Sequence, residues 1–502
     1  MKKPIIIIAL VSLLCACGQQ LPSDFAESDV LPQIYPDYID VTVPVNIAPP
    51  TFQMNDHSEE MAVRYSFGSE EIVCRGKQAI PSIGDWKQLA SAAQGKAIQV
   101  ETYACKNGQW TRFKPFNIFV SKDSIDPYIS YRLIHPSYIS YEELTISQRC
   151  LENYDESVIY DNMLCGDDIN GQCINCHSYQ QYNPDRMQFH ARQNNGGTLI
   201  AYDGNIRKIN MSNDSILSVG VYPAWHPQLP IIAYSTNMTH QIFHLTDSNK
   251  IEVFDTESDL IAYDLEKNEV TNIENDPNEL EVFPFWAPDG KSLYYCSAHF
   301  EYSDTTTSKY KLKEFISSYN SIKYNIYRKS FDPTTKQFGQ RELVFSADSL
   351  GKSATLPRIS PNGRYMMFAM AEYGVFHIWH RDADLWILDL STGVARPAEE
   401  LNSPDTESYH SWSSNGKWVV FSSRRDDGNY TRPFFAHIDE NGKGTKPFEL
   451  PCANPDYHRQ FLKSYNIPEF MRGLVTIKPQ TFADVLKHDC EPVKFISPVP
   501  TR

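Results

Sequence analysis

The sequence predicts a mainly β chain in which a C-terminal β-propeller of five or six blades follows a small, β-rich, sandwich-like domain. Three observations carry this. Four segments of the C-terminal half align: Tyr222-Pro223-Ala224-Trp225-His226-Pro227, Phe283-Pro284-Phe285-Trp286-Ala287-Pro288-Asp289-Gly290-Lys291, Leu356-Pro357-Arg358-Ile359-Ser360-Pro361-Asn362-Gly363-Arg364 and Tyr409-His410-Ser411-Trp412-Ser413-Ser414-Asn415-Gly416-Lys417. Each leads into an apolar stretch of strand character, at 231–235, 292–297, 365–370 and 418–423. The Asp-Gly and Asn-Gly pairs tolerate the positive φ that a tight hairpin turn demands. Two further strands follow, visible at Leu260-Ile261-Ala262-Tyr263-Asp264-Leu265 with Val270-Thr271-Asn272-Ile273, and at Leu385-Trp386-Ile387-Leu388-Asp389-Leu390. Such a four-stranded unit cannot bury its faces alone, so copies close radially into a ring.

The chain opens with Lys2 and Lys3 and an apolar run at 5–14, too short for a stable span. The run ends Leu14-Cys15-Ala16-Cys17, which resembles a bacterial lipobox. That resemblance implies a signal peptide over 1–16, cleavage before Cys17 and lipidation of its thiol; an ordinary secretory signal is the alternative. Residues 17–37 then read as a polar tether. The expected location is the bacterial cell envelope, lipid-anchored and facing either the periplasm or the exterior. Loss of Lys2 and Lys3 moves the formal charge from −16 to −18. An acidic surface argues against nucleic acid and anionic membrane as partners and suits a basic redox partner.

Residues 38–122 form the β-rich N-terminal domain. Asp40-Val41-Thr42-Val43-Pro44-Val45 and Ala97-Ile98-Gln99-Val100-Glu101-Thr102-Tyr103 alternate at strand period, and Phe116-Asn117-Ile118-Phe119-Val120 adds another strand. Between them, 84–93 has helical spacing around Trp86, Leu89 and Ala93.

Residues 123–195 read as a Tyr-rich connector carrying Cys173-Ile174-Asn175-Cys176-His177. In an exported chain, C-x-x-C-H is the pattern of covalent c-type haem attachment, with two thioethers and the His as proximal ligand. With 11 Cys and 14 His in 502 residues, chance supplies such a match roughly 0.007 times, which favours one covalent haem c over coincidence. The plainer readings are a Cys173–Cys176 disulfide or half of a zinc site recruiting Cys150 and Cys165. Downstream, Asn183 as N-cap and Pro184 at the first helical position predict a short helix. It would set Met187 and His190 on one face, both candidates for the second axial position on the iron, His190 preferred.

Export permits disulfides, and proximity in sequence pairs Cys74 with Cys105, Cys150 with Cys165 and Cys452 with Cys490. Cys296, within Leu293-Tyr294-Tyr295-Cys296, reads as a buried free thiol.

The propeller spans 196–450. Gly196-Gly197-Thr198-Leu199-Ile200-Ala201-Tyr202, continuing to Met211, reads as the outer half of a further blade that later strands close. The repeats resemble the TolB-like β-propeller repeat over about 195–450, best kept around Trp286. The first copy lacks its turn (Gln228-Leu229) and the fourth carries Ser414 for the second proline. A haem motif ahead of such repeats, behind a lipobox, resembles a group of bacterial envelope lipoproteins often labelled cytochrome c biosynthesis or TolB-related. Within the ring, His377 and His380 form an H-x-x-H read as structural, and Arg424, Arg425, Asp426 and Asp427 read as ion pairs on a loop. His410 beside Ser411 has no G-x-S-x-G elbow to support a hydrolase. Residues 451–502 are a C-terminal extension packed on the ring, with short helices expected at 461–470 and 482–488.

These readings point to an electron-transfer or binding protein rather than a catalyst. The first is a tethered mono-haem cytochrome whose propeller docks a redox or envelope partner. The second is a non-redox TolB-like interaction protein, and the third is a haem enzyme with an open axial site.

Overall fold

The computed structural model describes residues 20–56, 58–135, 143–166, 171–213, 216–303 and 307–496; the signal segment and Cys17 lie outside them. The chain is mainly β and arranged in several sheets. Six four-stranded units, numbered here as sheets I to VI, make up most of it. Sheet II is Gln172–Tyr179, Arg186–Gln193, Gly197–Tyr202 and Asn205–Asn210. Sheet III is Val221–Trp225, Ile231–Phe243, Ile251–Asp264 and Glu269–Glu274. Sheet IV is Glu279–Trp286, Ser292–His299, Asn325–Asp332 and Gln337–Phe345, joined to sheet III only through the parallel pairing of Ser258 with Leu280. Sheet V is Ser353–Ile359, Tyr365–Ala371, Asp384–Asp389 and Val394–Pro397. Sheet VI is Glu407–Trp412, Trp418–Ser423, Arg432–His437 and Phe448–Glu449. Sheet I is composite: Tyr128–Ile134, Thr145–Cys150 and Glu156–Asp161 gain their innermost strand from the far end of the chain, Ser464–Met471.

The innermost strands neighbour one another in the order I to VI, and that of sheet VI lies against that of sheet I. All six carry one backbone device. The ladder to the next strand slips at 175/178, 221/224, 282/285, 355/358 and 408/411, and in sheet I at the residues facing Ser130 and Arg132. At each slip one residue takes positive φ: Ile467 (52°), Cys176 (57°), Tyr222 (49°), Phe283 (54°), Leu356 (57°) and Tyr409 (45°). A β-bulge of this kind bends its strand and re-aims the next side chains. The residue after it is Pro468, His177, Pro223, Pro284, Pro357 and His410 in turn. Proline suits that place because its missing N–H falls where the ladder has no partner to offer.

The repeat's other residues have equally local reasons. Ser360 and Ser413 accept from the backbone of Tyr365 and Trp418 across the turn, each at 3.0 Å. Asp289, Asn362 and Asn415 accept from the N–H two residues on. At Gly290 (φ +70°) a Cβ would lie 2.5 Å from Gln228 Oε1 and 2.6 Å from His226 Cε1, so the turn of sheet IV can press on sheet III only without a side chain. In the first copy the His226 ring replaces the missing turn residues: its Nδ1 accepts from the N–H groups of Gln228 and Leu229 at 3.1 and 2.9 Å.

The N-terminal region holds a seven-stranded sheet built round Ala97–Lys106, a three-stranded sheet, and the helix Ile83–Ala92. Ser82 caps that helix by accepting from Asp85 N at 3.1 Å, and Trp86, Leu89 and Ala90 face the core. The core is continuous with sheets I and VI through Trp418, Val420, Phe435 and Tyr465.

Several expectations are corrected. Residues 183–190 are not a helix: Arg186–Gln193 is a strand, with Met187, Phe189 and Ala191 on the face that joins the core. Period-two alternation there outweighs the Asn-Pro start signal. Residues 464–471 form a strand for the same reason, while the helix Pro479–Leu486 stands where one was expected, burying Phe482 and Leu486. The connector is sheet I plus the inner half of sheet II, so the expected boundary at 196 cuts through a sheet. Earlier strands complete the half-blade read from Gly196 to Met211, and of the later chain Glu491–Pro492 adds a short parallel strand at its outer edge. The tether is partly structured, since Ala26–Glu27 pairs parallel with Thr111 and Arg112.

Candidate functional site

The six bulges meet at one place between the innermost strands and build two storeys. The deeper is a cavity of about 20 Å³ lined by all six positive-φ residues together with His177, Arg358 and Glu469. Above it opens a cavity of about 240 Å³. Its floor consists of the residue two after each bulge: Glu469, Ser178, Ala224, Phe285, Arg358 and Ser411 in sheets I to VI. Its walls are aromatic, with Tyr179, Trp225, Trp286, Trp412 and Phe470 one position further along. Two of these walls also tie neighbouring sheets: Trp286 Nε1 donates to Ala224 O at 3.1 Å and Trp412 Nε1 to Arg358 O at 3.0 Å. Between sheets II and III the tie is Gln180, whose amide donates to His226 O at 2.8 Å and Leu229 O at 2.9 Å.

Two floor residues are charged. Among the described residues the Arg358 guanidinium donates only to the carbonyl of Pro357, at 3.3 Å, and it stands 4.9 Å from the Phe285 ring centroid. Burial lowers its pKa, partly opposed by the negative charge of Glu469. The Glu469 carboxylate makes no hydrogen bond or ion pair among the described residues. Burial pushes its carboxyl up to about 7, against the pull of Arg358. The two belong to sheets I and V, with Ser411 of sheet VI between them, and they line both storeys without touching.

Cys173, Cys176 and His177 lie on the innermost strand of sheet II, all buried. Cys176 is that strand's bulge residue and its carbonyl accepts from the Gln188 amide. Cys173 Sγ accepts from Arg192 Nη2 at 3.5 Å. Neither ring nitrogen of His177 has a partner among the described residues, and burial, assisted by the charge of Arg132, brings its pKa down to about 3, so the ring is neutral. The space beside His177 is about 20 Å³, where a cofactor pocket needs roughly 300 Å³ or more, so a haem on Cys173 and Cys176 requires this strand to give way. Met187 and His190 do not share a face. Met187 packs in the core with Phe189, whereas His190 lies on the opposite side with Nδ1 3.1 Å from Thr198 Oγ1 and Nε2 without a partner.

None of the expected disulfide pairs is brought together, and all nine cysteines from Cys74 to Cys490 are free. Cys74 and Cys105 sit on the two strands flanking Glu60–Phe67, about 9.5 Å apart or more and beyond disulfide reach. Cys150 lies opposite Tyr128, whereas Cys165 follows the turn beyond the other end of the same strand pair. Cys452 Sγ lies 3.6 Å from His458 Nε2, while Cys490 Sγ bonds Gly196 O. Cys296 is the buried free thiol expected. Among the described residues, no three His, Cys, Asp or Glu side chains are grouped to hold a metal ion. His377 bonds Thr355 and Gly374, and His380 pairs with Glu252 at 3.1 Å, so both are structural. Arg425 pairs with Glu407 at 3.0 Å, and His410 Nε2 is 2.9 Å from Met367 O rather than near a nucleophile.

Arg358 and Glu469 escaped the sequence reading. The first stands within an aligned repeat, as the one charged residue at its position among the four copies. The second belongs to Ile467-Pro468-Glu469-Phe470, a copy without the turn that marks the others.

No family model and no curated protein matches the chain. Among solved structures it is similar to the tricorn protease (11% identity, 71% of this chain and 33% of that one, TM-score 0.33). It is also similar to a prolyl endopeptidase (10%, 65% and 42%, 0.31) and to a DUF4784 family protein from Bacteroides caccae (8%, 73% and 94%, 0.27). The chain thus spans about a third of the first protein's length and less than half of the second's.

Proposed function

We propose that this chain is an envelope-tethered binding protein, a six-bladed β-propeller whose axial cavity receives the ligand, with Cys173 to His177 serving as one blade's copy of the repeated bulge. The observation that carries the reading is the bulge itself. Cys176 holds the same backbone conformation as Tyr222, Phe283, Leu356, Tyr409 and Ile467, and His177 the place of four prolines. A motif explained by the architecture leaves the axial cavity as the place where conserved geometry meets unsatisfied charge. The likeness to TolB-like repeats supports a role in interaction rather than catalysis, and the Leu14-Cys15-Ala16-Cys17 run supports a lipid anchor.

The test is a thermal-shift screen of small metabolites and short peptides on the mature chain and on its Arg358→Gln variant. Hits that vanish in the variant support the reading; hits of equal size in both place the ligand elsewhere and reject it.

A second reading, the covalent haem electron carrier, is favoured by one observation: His177 and the Nε2 of His190 are buried without partners. It requires the innermost strand of sheet II to give way, and the mass of the mature chain decides it.

A further inference from the structure

Resting on the axial cavity as the binding site, the structure points further, to the class of ligand. We propose that the cavity takes a zwitterionic α-amino acid with an aromatic side chain, its carboxylate on Arg358 and its ammonium on Glu469. Three features carry this.

The first is the uncompensated charge. Arg358 and Glu469 line the same two cavities, carry opposite sign, and make no ion pair with each other among the described residues. Taking either charge out of water is expensive unless a partner of opposite sign arrives with it. Had the chain needed only internal neutrality, the two would meet, as Arg425 and Glu407 do at 3.0 Å in sheet VI. Held apart across Ser411, they leave a gap whose ends ask for an anion and a cation within one small molecule. Guanidinium is the side chain best matched to a carboxylate, through two parallel hydrogen bonds.

The second is the set of walls. Trp225, Trp286, Trp412, Tyr179 and Phe470 rise round the charged floor, and an aromatic side chain projecting from the α-carbon meets rings on several sides. The indole Nε1 of Trp225 has no partner among the described residues, unlike those of Trp286 and Trp412. The third is size. About 240 Å³ above the floor admits a single residue and closes to about 20 Å³ beneath it, so the polar head ends at the floor rather than threading the axis. The imidazole of His177, neutral and unpartnered, borders the lower space.

Isothermal titration calorimetry of the full mature chain tests the proposal, with L-phenylalanine, N-acetyl-L-phenylalanine and L-phenylalanine amide as probes. L-Phenylalanine is expected to bind, and each blocked form at least tenfold more weakly. Glu469→Gln should weaken L-phenylalanine about tenfold while leaving the N-acetyl form unchanged; Arg358→Gln should do the converse with the amide. Equal affinity for the three probes, or none for L-phenylalanine, overturns the zwitterion. If Arg358-dependent hits from the metabolite and peptide screen persist in that case, the cavity still binds and only the ligand class has failed; binding insensitive to Arg358→Gln overturns both.

Discussion

The innermost strands of sheets II and IV share a backbone and almost no side chains. Sheet IV writes its bulge as Phe283-Pro284-Phe285-Trp286 and sheet II as Cys176-His177-Ser178-Tyr179. Both put the first residue at φ near 55°, slip the ladder by the same amount and present the third residue to the axial cavity. They differ in how each is tied to its neighbour. Trp286 reaches Ala224 O with its indole, whereas sheet II hands that task to Gln180, one residue beyond its aromatic. The difference teaches that the packing of the sheets constrains backbone shape and inter-sheet ties, and that several residue types meet those demands. A string of residues with a strong chemical meaning elsewhere can therefore arise as one solution to a packing problem.

The comparison breaks most sharply at the ties. Trp286, 3% exposed, fills the junction with His226 and Phe331 as well as bonding Ala224. Trp286→Ala should cost about 3–5 kcal/mol in chemical denaturation, as large-to-small core changes do. Gln180→Ala, its counterpart in sheet II, leaves the buried carbonyl of His226 without its side-chain donor and removes one of the two donors to Leu229 O, and should cost about 2 kcal/mol. A cost below about 0.5 kcal/mol would show that Gln180 is not the tie.

A third difference is electrostatic. Glu281 in sheet IV stands where sheet II has Ile174, fully buried and with both carboxylate oxygens lacking partners. Burial, with the nearby charges of Asp259 and Glu274, pushes its pKa up from 4.5 to about 9. Between those values the folded state holds a proton that the unfolded state has released, so stability falls as pH rises from 4.5 to about 9. Glu281→Gln removes that slope. The variant should gain on the parent by about 1 kcal/mol per pH unit through this window, read from melting curves at pH 5, 7 and 9. A constant difference across the three would sink the assignment.

The smallest effect sharpens the likeness. His177→Pro places in sheet II the residue that four other copies carry and removes two unpartnered ring nitrogens. Stability should stay within about 1 kcal/mol of the parent, where proline inside an ordinary strand would be disruptive. His410→Pro should be worse, because it also loses the contact of His410 Nε2 with Met367 O.

Legibility in the sequence followed the same divide. The sheets with Asn-Gly or Asp-Gly turns were readable, and the strand 418–423 matches Trp418–Ser423 residue for residue, because turn chemistry and apolar alternation are local. Sheet I was not, and of sheet II only the outer half was. Sheet I takes a strand from more than 300 residues away, a pairing that leaves no local trace, and sheet II carries its bulge under Cys and His. The Asn183-Pro184 start signal misled for a similar reason: a cap costs about 1 kcal/mol to lose, less than the burial of Met187 and Phe189 on one face of a strand is worth. Of the site, the aromatic walls of sheets III, IV and VI lay in the aligned repeats, but the opposed charges of Arg358 and Glu469 come together only when sheets I and V line the same cavity.

The central claim is that Cys173 to His177 is architecture. Intact mass and visible absorbance of the mature chain, purified from a host that attaches haem to c-type cytochromes, test it most directly. The account predicts a colourless protein without an added haem, with Cys173 and Cys176 both free for alkylation once unfolded. A chain carrying one covalent haem, lost in Cys176→Ala, would contradict it.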